Sequence, residues 1–145
     1  MRATMDNIID ISVEFGKLKL SNPIFTASGT CGYAGELGEF MDLDRLGGFV
    51  TKSITAQPRM GNATPRIVET DAGMLNAIGL ANIGVERFIL EKLPALAKIK
   101  AAVFVNVAGE TIEEYVAVAQ NLANQEVVAG LGRLFRTGWP TWAQP

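Results

Sequence analysis

The chain has 145 residues, of which 48% are hydrophobic and 19% are charged, and its formal net charge at pH 7 is −2. This composition predicts a globular domain with a hydrophobic core, and no apolar run approaches the ~20 residues that a membrane-spanning helix needs. The acidic balance argues against nucleic-acid binding, and the absence of histidine with the single cysteine Cys31 argues against a Cys/His metal site and a histidine-activated nucleophile.

The first predicted element is a β-hairpin over residues 9–20. Val13 and Phe15 precede Gly16, and Leu18 and Leu20 follow it, which gives the alternation typical of two short strands. The residues before this hairpin carry acidic side chains and no long apolar segment, so no secretory signal is predicted. A cytoplasmic location is therefore expected.

Strands and helices alternate after the hairpin. Apolar runs predict strands buried on both faces over residues 23–30, 48–53 and 101–108, with a fourth run over 127–131. Helical spacing predicts helices over residues 36–46, over 85–98 with a kink or break at Pro94, and after Thr111, where Glu114 completes a capping-box pattern. This order predicts an α/β fold with a parallel sheet, either a (β/α)₈ barrel or a doubly wound sheet.

A glycine-rich stretch over residues 65–84 fits neither a helical nor a strand period. Gly73, Gly79 and Gly84 can adopt positive φ, and Asn76 supplies an amide that both donates and accepts hydrogen bonds. Such a loop would suit a small planar ligand with carbonyl and N–H edges. The alternative is a buried irregular connection whose glycines only form turns, with a short local pairing near residues 66–69.

Polar side chains lie at the carboxyl ends of three of the predicted strands, namely Ser28, Lys52, Ser53 and Asn106. The carboxyl ends of parallel strands meet at one edge, where ligands bind in both candidate folds, so these side chains are expected to converge. An ammonium group held there would stabilise an anion such as reduced flavin or a substrate carboxylate. The alternatives are a lysine that extends to solvent at the rim, and a serine and an asparagine that only satisfy loop backbone groups.

The motifs ASGTxGY, VTKS, PRxxET, GMLNAIGLxNxG and NVAG occur in this order, and together they resemble the N-terminal part of the dihydroorotate dehydrogenases, in particular the NAD-linked class 1 (class 1B) catalytic subunits. The resemblance runs from about residue 11 to about residue 129. It implies a partial TIM (β/α)₈ barrel, formed by the N-terminal hairpin and about the first three to four βα units. It also implies FMN as cofactor and oxidation of dihydroorotate to orotate in pyrimidine (UMP) biosynthesis.

The resemblance further implies site residues and partners. FMN would be contacted by Ser28, Lys52, Ser53 and Asn106. Lys52 would also reach orotate, whose site would be lined by Asn76, Ala77, Ile78, Gly79 and Leu80. The implied partners are an electron-transfer subunit carrying FAD and an iron–sulfur cluster, and a second catalytic subunit in a homodimer.

The chain departs from the family pattern after the fourth apolar run. The family's cysteine base lies in an N-I-S-C-P-N motif, whereas this sequence continues VVAGLGRLFRTGWPTWAQP. Cys31 does not occupy that position, and without a base or basic cluster beside it in the sequence it is interpreted as inert, so no catalytic residue is assigned. Residues 1–130 are predicted to form the N-terminal part of an FMN-dependent barrel, and residues 131–145 an aberrant tail.

An open barrel would leave an unpaired strand edge and an incomplete core. The isolated chain is therefore expected to be marginally stable or prone to aggregate, to bind FMN weakly if at all, and to lack turnover. Two other interpretations stay open at this point. One is a catalytically dead remnant that associates through apolar surface, and the other is a related flavin barrel such as a dihydropyrimidine dehydrogenase-like module.

Overall fold

A computed structural model describes residues 9–133 of the chain. Its elements, in chain order, are β1 (Val13–Phe15), β2 (Leu18–Leu20), a 3₁₀ helix (Leu43–Arg45), β3 (Gly48–Val50), β4 (Ile67–Thr70), β5 (Gly73–Asn76), α1 (Val85–Arg87), a π-helical turn (Phe88–Lys92), α2 (Leu93–Leu96), β6 (Ala102–Val107), α3 (Ile112–Ala123) and β7 (Val128–Arg133). The strands β1 and β2 pair antiparallel around Gly16, where φ is +62°. This confirms the predicted N-terminal hairpin.

The centre of the fold is a three-stranded parallel sheet in the order β3-β6-β7. A parallel bridge between Phe25 and Gly48 extends this sheet beyond β3. Helices α1, α2 and α3 lie in the connections between successive parallel strands, as βα units require. The predicted α/β fold with a parallel sheet is confirmed, and the arrangement is that of a partial TIM barrel.

The two faces of the sheet differ in cover. Phe49, Val103 and Val105 are buried on one face, where they belong to the same core cluster as Phe88 and Leu122 from the helical layer. Each such side chain stabilises the fold by about 1.5–3 kcal/mol relative to an exposed one. On the other face, Val50 and Phe104 are only half-buried.

Two predicted elements differ from the structure. The helix predicted over residues 36–46 is wrong, because this segment forms consecutive turns followed by the 3₁₀ helix. Gly38 weakens helix propagation, and the Asp42 carboxylate accepts from Asp44 N at 3.0 Å, which starts a separate turn. The strand predicted over residues 23–30 is reduced to the Phe25 bridge, because the chain turns at Gly29, where φ is +81°.

The stretch over residues 65–84 is more regular than its sequence indicates. Strands β4 and β5 pair antiparallel, and all eight of their residues are exposed. The local pairing expected near residues 66–69 is therefore part of a full hairpin. The alternative of a buried irregular connection is wrong for β4 and β5.

The predicted helices after this hairpin are largely confirmed. The helix over residues 85–98 is broken into α1, the π-helical turn and α2, with Pro94 in the first turn of α2, where proline is tolerated. The Thr111 side chain caps α3 by accepting from Glu114 N at 3.3 Å. The Glu114 carboxylate in turn accepts from Glu110 N at 2.6 Å, one residue earlier than a standard capping box.

The predicted boundary at residue 130 falls inside β7, which runs to Arg133. The first three residues of the predicted tail are thus strand residues, and the rest of that prediction lies outside the described residues. Within residues 9–133, no helix is long and apolar enough to cross a membrane.

Candidate functional site

Hydrogen bonds join three of the predicted site residues into one group, here called the Ser-Asn cluster (Ser28, Ser53 and Asn106). The Asn106 amide Nδ2 donates to Ser28 Oγ at 2.7 Å and to Ser53 Oγ at 2.6 Å. Asn106 lies near the carboxyl end of β6, and the two serines follow β3 and the Phe25 bridge. The structure therefore confirms that these three strand ends converge.

Thr51, the residue directly after β3, supports the Ser-Asn cluster, and it was not singled out from the sequence. This fully buried residue accepts from Asn106 N through Oγ1 at 3.3 Å, and its carbonyl accepts from Ser28 Oγ at 2.9 Å. Its hydroxyl donates to the Lys52 carbonyl at 2.9 Å. The available signal was a hydroxyl residue directly after an apolar strand, in the VTKS motif.

The Ser-Asn cluster has hydrogen-bonding capacity left for a ligand. Within residues 9–133, neither Asn106 Oδ1 nor the Ser53 hydroxyl hydrogen has a partner, although both residues are only 6% exposed. Gly132 lies beside the amide, and a Cβ at that glycine would come within 3.2 Å of Asn106 Oδ1. An acceptor and a donor therefore stand unused beside the exposed Ser28.

Lys52 lies next to this cluster in the chain. Its backbone N donates to Gly32 O at 2.9 Å, which ties it to the loop after the Phe25 bridge. The side chain is half-buried, and its ammonium forms no hydrogen bond or ion pair with any residue in the described range. The Lys52 charge is thus not neutralised by a carboxylate of residues 9–133.

The predicted substrate segment starts at the end of β5 and is held by the preceding loop. Asn62 N donates to Ile78 O at 3.1 Å, and Asn62 Nδ2 donates to Ala77 O at 3.0 Å. Gly79 has φ +71° and Leu80 has φ +57°, so the chain turns sharply there. No hydrogen bond between described residues joins Asn76 or Lys52 to the Ser-Asn cluster, and their predicted ligand roles stay predictions.

Asn82 anchors the end of this segment, and it is the second residue whose role was missed. It is buried, and its Oδ1 accepts from Thr55 N at 3.2 Å and from Gly84 N at 2.9 Å. Its Nδ2 donates to Leu80 O at 2.9 Å. Asn82 therefore fastens the predicted substrate segment to the loop that follows β3. The GLxNxG motif contained this asparagine but gave no reason to prefer it over its neighbours.

An ion pair also links the loops after β3 and β6. Arg59 Nη2 lies 2.8 Å from Glu110 Oε1, and both side chains are partly exposed. Exposed pairs of this kind typically contribute about 1 kcal/mol or less. This pair helps to align the two loops, but the buried hydrogen bonds of Asn106 and Asn82 are the stronger constraints.

Tyr33 carries a buried hydroxyl without a hydrogen-bond partner in the described part of the chain. Burial raises the pKa of the Tyr33 phenol. The nearby Ile83 backbone lowers this pKa in part, although it does not lie in hydrogen-bonding geometry with the hydroxyl. Because an unsatisfied buried hydroxyl costs about 1–3 kcal/mol, Tyr33→Phe is expected to raise the free energy of unfolding by about 1 kcal/mol in chemical denaturation. A loss of stability would instead reveal a partner for the hydroxyl.

Comparisons with known proteins agree with the motifs. The family model for dihydroorotate dehydrogenase matches residues 10–131. The curated relative "Dihydroorotate dehydrogenase B (NAD(+)), catalytic subunit" from Geotalea uraniireducens (strain Rf4) is 51% identical over 122 residues, which are 84% of this chain and 40% of the relative. The protein of the same name from Pelobacter propionicus is 52% identical over the same shares of both chains.

A solved structure shows the same fold. The crystal structure of DHODH from Eimeria tenella in complex with ferulenol superimposes with a TM-score of 0.63 at 19% identity, over 86% of this chain and 36% of that chain. The chain thus spans about 40% of the length of the curated relatives it matches. Since the family model covers most of its residues, the chain belongs to the dihydroorotate dehydrogenase family.

Proposed function

We propose that this chain forms the flavin-binding part of a dihydroorotate dehydrogenase catalytic subunit, which oxidises dihydroorotate to orotate with FMN in pyrimidine biosynthesis. Members of this family are generally flavin-dependent. The observation that supports the proposal most strongly is the Asn106 amide, which bonds serine hydroxyls from two other strand ends. Ligands of parallel α/β barrels bind at this end of the sheet.

The groups present fit one edge of a flavin ring. The Ser53 hydroxyl can donate to a ring carbonyl, Asn106 Oδ1 can accept from a ring N–H, and the Lys52 ammonium can stabilise negative charge. FMN, when bound, accepts hydride from the substrate. The role of the protein groups is to orient the ring and to favour its reduced, anionic form through the Lys52 charge.

The substrate is assigned to the same end of the sheet. Lys52 would offset the dihydroorotate carboxylate, and Asn76 would bond the polar edge of the ring, with Ala77, Ile78, Gly79 and Leu80 lining the site. Asn82 and Asn62 hold this segment in place through the hydrogen bonds described above. Proton removal needs a base outside these residues, since the family's cysteine motif does not occur in this sequence.

The partners are proposed on the same basis. The relatives' name "catalytic subunit" implies a further subunit in their enzymes. We assign that role to an electron-transfer subunit carrying FAD and an iron–sulfur cluster, and we expect the catalytic subunits to pair as a homodimer.

A chimeric enzyme tests this function. Residues 10–131 of this chain would replace the matching segment of the Geotalea uraniireducens subunit, with which they share 51% identity. The chimera is expected to bind FMN and to oxidise dihydroorotate. In it, Lys52→Gln should weaken orotate or FMN binding by about 10- to 100-fold, because a hydrogen bond to a charged group contributes about 1.5–3 kcal/mol. Binding is measured by titration of the flavin absorbance.

Lys98→Gln is the matched control for this substitution. Lys98 is an exposed lysine between α2 and β6, at the amino end of β6 and away from the strand ends of the site. Its replacement is expected to leave both affinities unchanged. Equal affinities in the two variants, with both proteins folded, would contradict the assignment of Lys52.

A further inference from the structure

Glu36 holds the peptide group that joins Gly32 to Tyr33, in the loop after the Phe25 bridge. Its carboxylate oxygen Oε2 accepts from Tyr33 N at 3.1 Å. Gly32 leaves room for this contact, because a Cβ there would lie 2.6 Å from both the carboxyl carbon and Oε2 of Glu36. The Glu36 side chain therefore folds back over the turn that precedes it.

The same peptide group also contacts Lys52. Its carbonyl, Gly32 O, accepts from Lys52 N at 2.9 Å. This peptide is trans, so its N–H and C=O lie in one plane and point in opposite directions. An acceptor that fixes the N–H of the peptide therefore also fixes the direction of the carbonyl. Glu36 and Lys52 are thus bonded to opposite edges of one rigid plane.

The turn around this peptide does not by itself set the orientation of the plane. Ala34 N donates to Cys31 O at 3.4 Å, which makes the peptide between Gly32 and Tyr33 the central one of a four-residue turn. Turn types differ chiefly in the orientation of their central peptide, and glycine at the second position, here with φ +55°, tolerates more than one of them. The Glu36 carboxylate selects one orientation.

The Gly32 carbonyl ties the Lys52 backbone to this first loop. The N–H groups of Thr51 and Ile54, on either side of Lys52, bond in the other direction, to carbonyls of β6 at 3.0 Å and 2.8 Å. Lys52 N bonds to Gly32 O instead. The direction in which the Lys52 side chain leaves the backbone therefore depends on where the Gly32 carbonyl points.

We infer that Glu36 is a positioning residue for Lys52. By holding the peptide between Gly32 and Tyr33, its carboxylate sets the backbone from which the Lys52 ammonium reaches the flavin and the substrate carboxylate. The inference rests on the ligand role proposed for Lys52 above. Direct attraction is not involved, since the Glu36 and Lys52 side chains form no ion pair in the part of the chain that the structure describes.

Hydrogen exchange at the Lys52 amide tests this contact in the full 145-residue chain without any ligand. Glu36→Ala is expected to speed exchange of this amide about fivefold, because the bond that holds the peptide is lost. Glu36→Gln keeps an acceptor oxygen, and its exchange is expected to stay within about twofold of the parent chain. The amides of Thr51 and Ile54, which bond to β6, should not change in either variant. Faster exchange at all three amides, or at none of them, would overturn the inference.

Glu39→Ala is the matched control for this measurement. Glu39 is an exposed glutamate in the same run of turns, and it forms no hydrogen bond or ion pair with other residues of the described range 9–133. Like Glu39, Glu36 is exposed, so neither substitution disturbs the core. Glu39→Ala is expected to leave exchange at Lys52 unchanged.

A double-mutant cycle in the chimera tests the consequence for ligand binding. Glu36→Ala is expected to weaken whichever of orotate and FMN depends on Lys52 by about fivefold, and to have no further effect when Lys52→Gln is already present. An equal loss in both backgrounds would show a general effect of the loop and refute the positioning role. A loss with Lys52→Gln but none with Glu36→Ala would also refute it and leave the proposed function intact, whereas no loss with Lys52→Gln would overturn both.

Discussion

Replacement of Gly47 by alanine is expected to lower the free energy of unfolding of the full chain by about 3 kcal/mol or more, because the new methyl group would overlap backbone. A Cβ at Gly47 would lie 1.8 Å from Asn22 O and 2.8 Å from Asn22 C. Asn22 cannot easily move away, since its Oδ1 accepts from Ile24 N and from Gly47 N, each at 3.0 Å. Chemical denaturation followed by far-UV circular dichroism measures the change.

Gly73→Ala is the matched control for this prediction. Gly73 is exposed at the start of β5, and a Cβ there would meet no heavy atom within 4 Å. Its replacement is expected to change stability by no more than about 0.5 kcal/mol. If the Gly47→Ala variant were as stable as the Gly73→Ala variant, this result would contradict the close packing of the Asn22 turn against Gly47, the residue before β3.

Asn106→Ala is expected to cost about 2–3 kcal/mol of stability in the full chain and to abolish FMN retention in the chimera. The substitution removes both hydrogen bonds that hold the Ser-Asn cluster together and leaves the buried Ser53 hydroxyl without its donor. It also removes the free acceptor Oδ1. The stability change is measured by denaturation and the flavin content by absorbance of the purified chimera.

Asn121→Ala provides the comparison for this substitution. Asn121 is exposed on α3, where its amide only donates to Ala117 O at 2.8 Å, and alanine is the better helix former. A change within about 0.5 kcal/mol and full flavin content are expected. A chimera with Asn106→Ala that retained its flavin would show that Asn106 is not a cofactor ligand, even if its stability fell.

Much of the fold followed from local patterns that tertiary structure does not override. The apolar run at 101–108 and the alternation around Gly16 predict β6 and the first hairpin, because strand period and burial are visible in a few consecutive residues. The helix predicted over residues 36–46 was wrong because local side-chain effects outweigh the apolar spacing there. Its apolar spacing is helical, but Gly38 and the Asp42 side chain favour turns, and the spacing alone does not weigh these effects.

The candidate site divides in the same way. Convergence of Ser28, Ser53 and Asn106 was predictable, because parallel strands place their carboxyl ends at one edge regardless of side-chain detail. The roles of Thr51 and Asn82 were not predictable, since each depends on hydrogen bonds to residues that are distant in sequence. Those bonds exist only once β3, β6 and the intervening loop have been assembled.

The flavin content of the chimera that carries residues 10–131 of this chain tests the central claim most directly. The account predicts one tightly bound FMN per catalytic subunit after purification, with absorbance that shifts when orotate is added. A folded chimera that purifies without flavin, while the parent subunit prepared in parallel retains it, would contradict the claim that these strand ends form a flavin site.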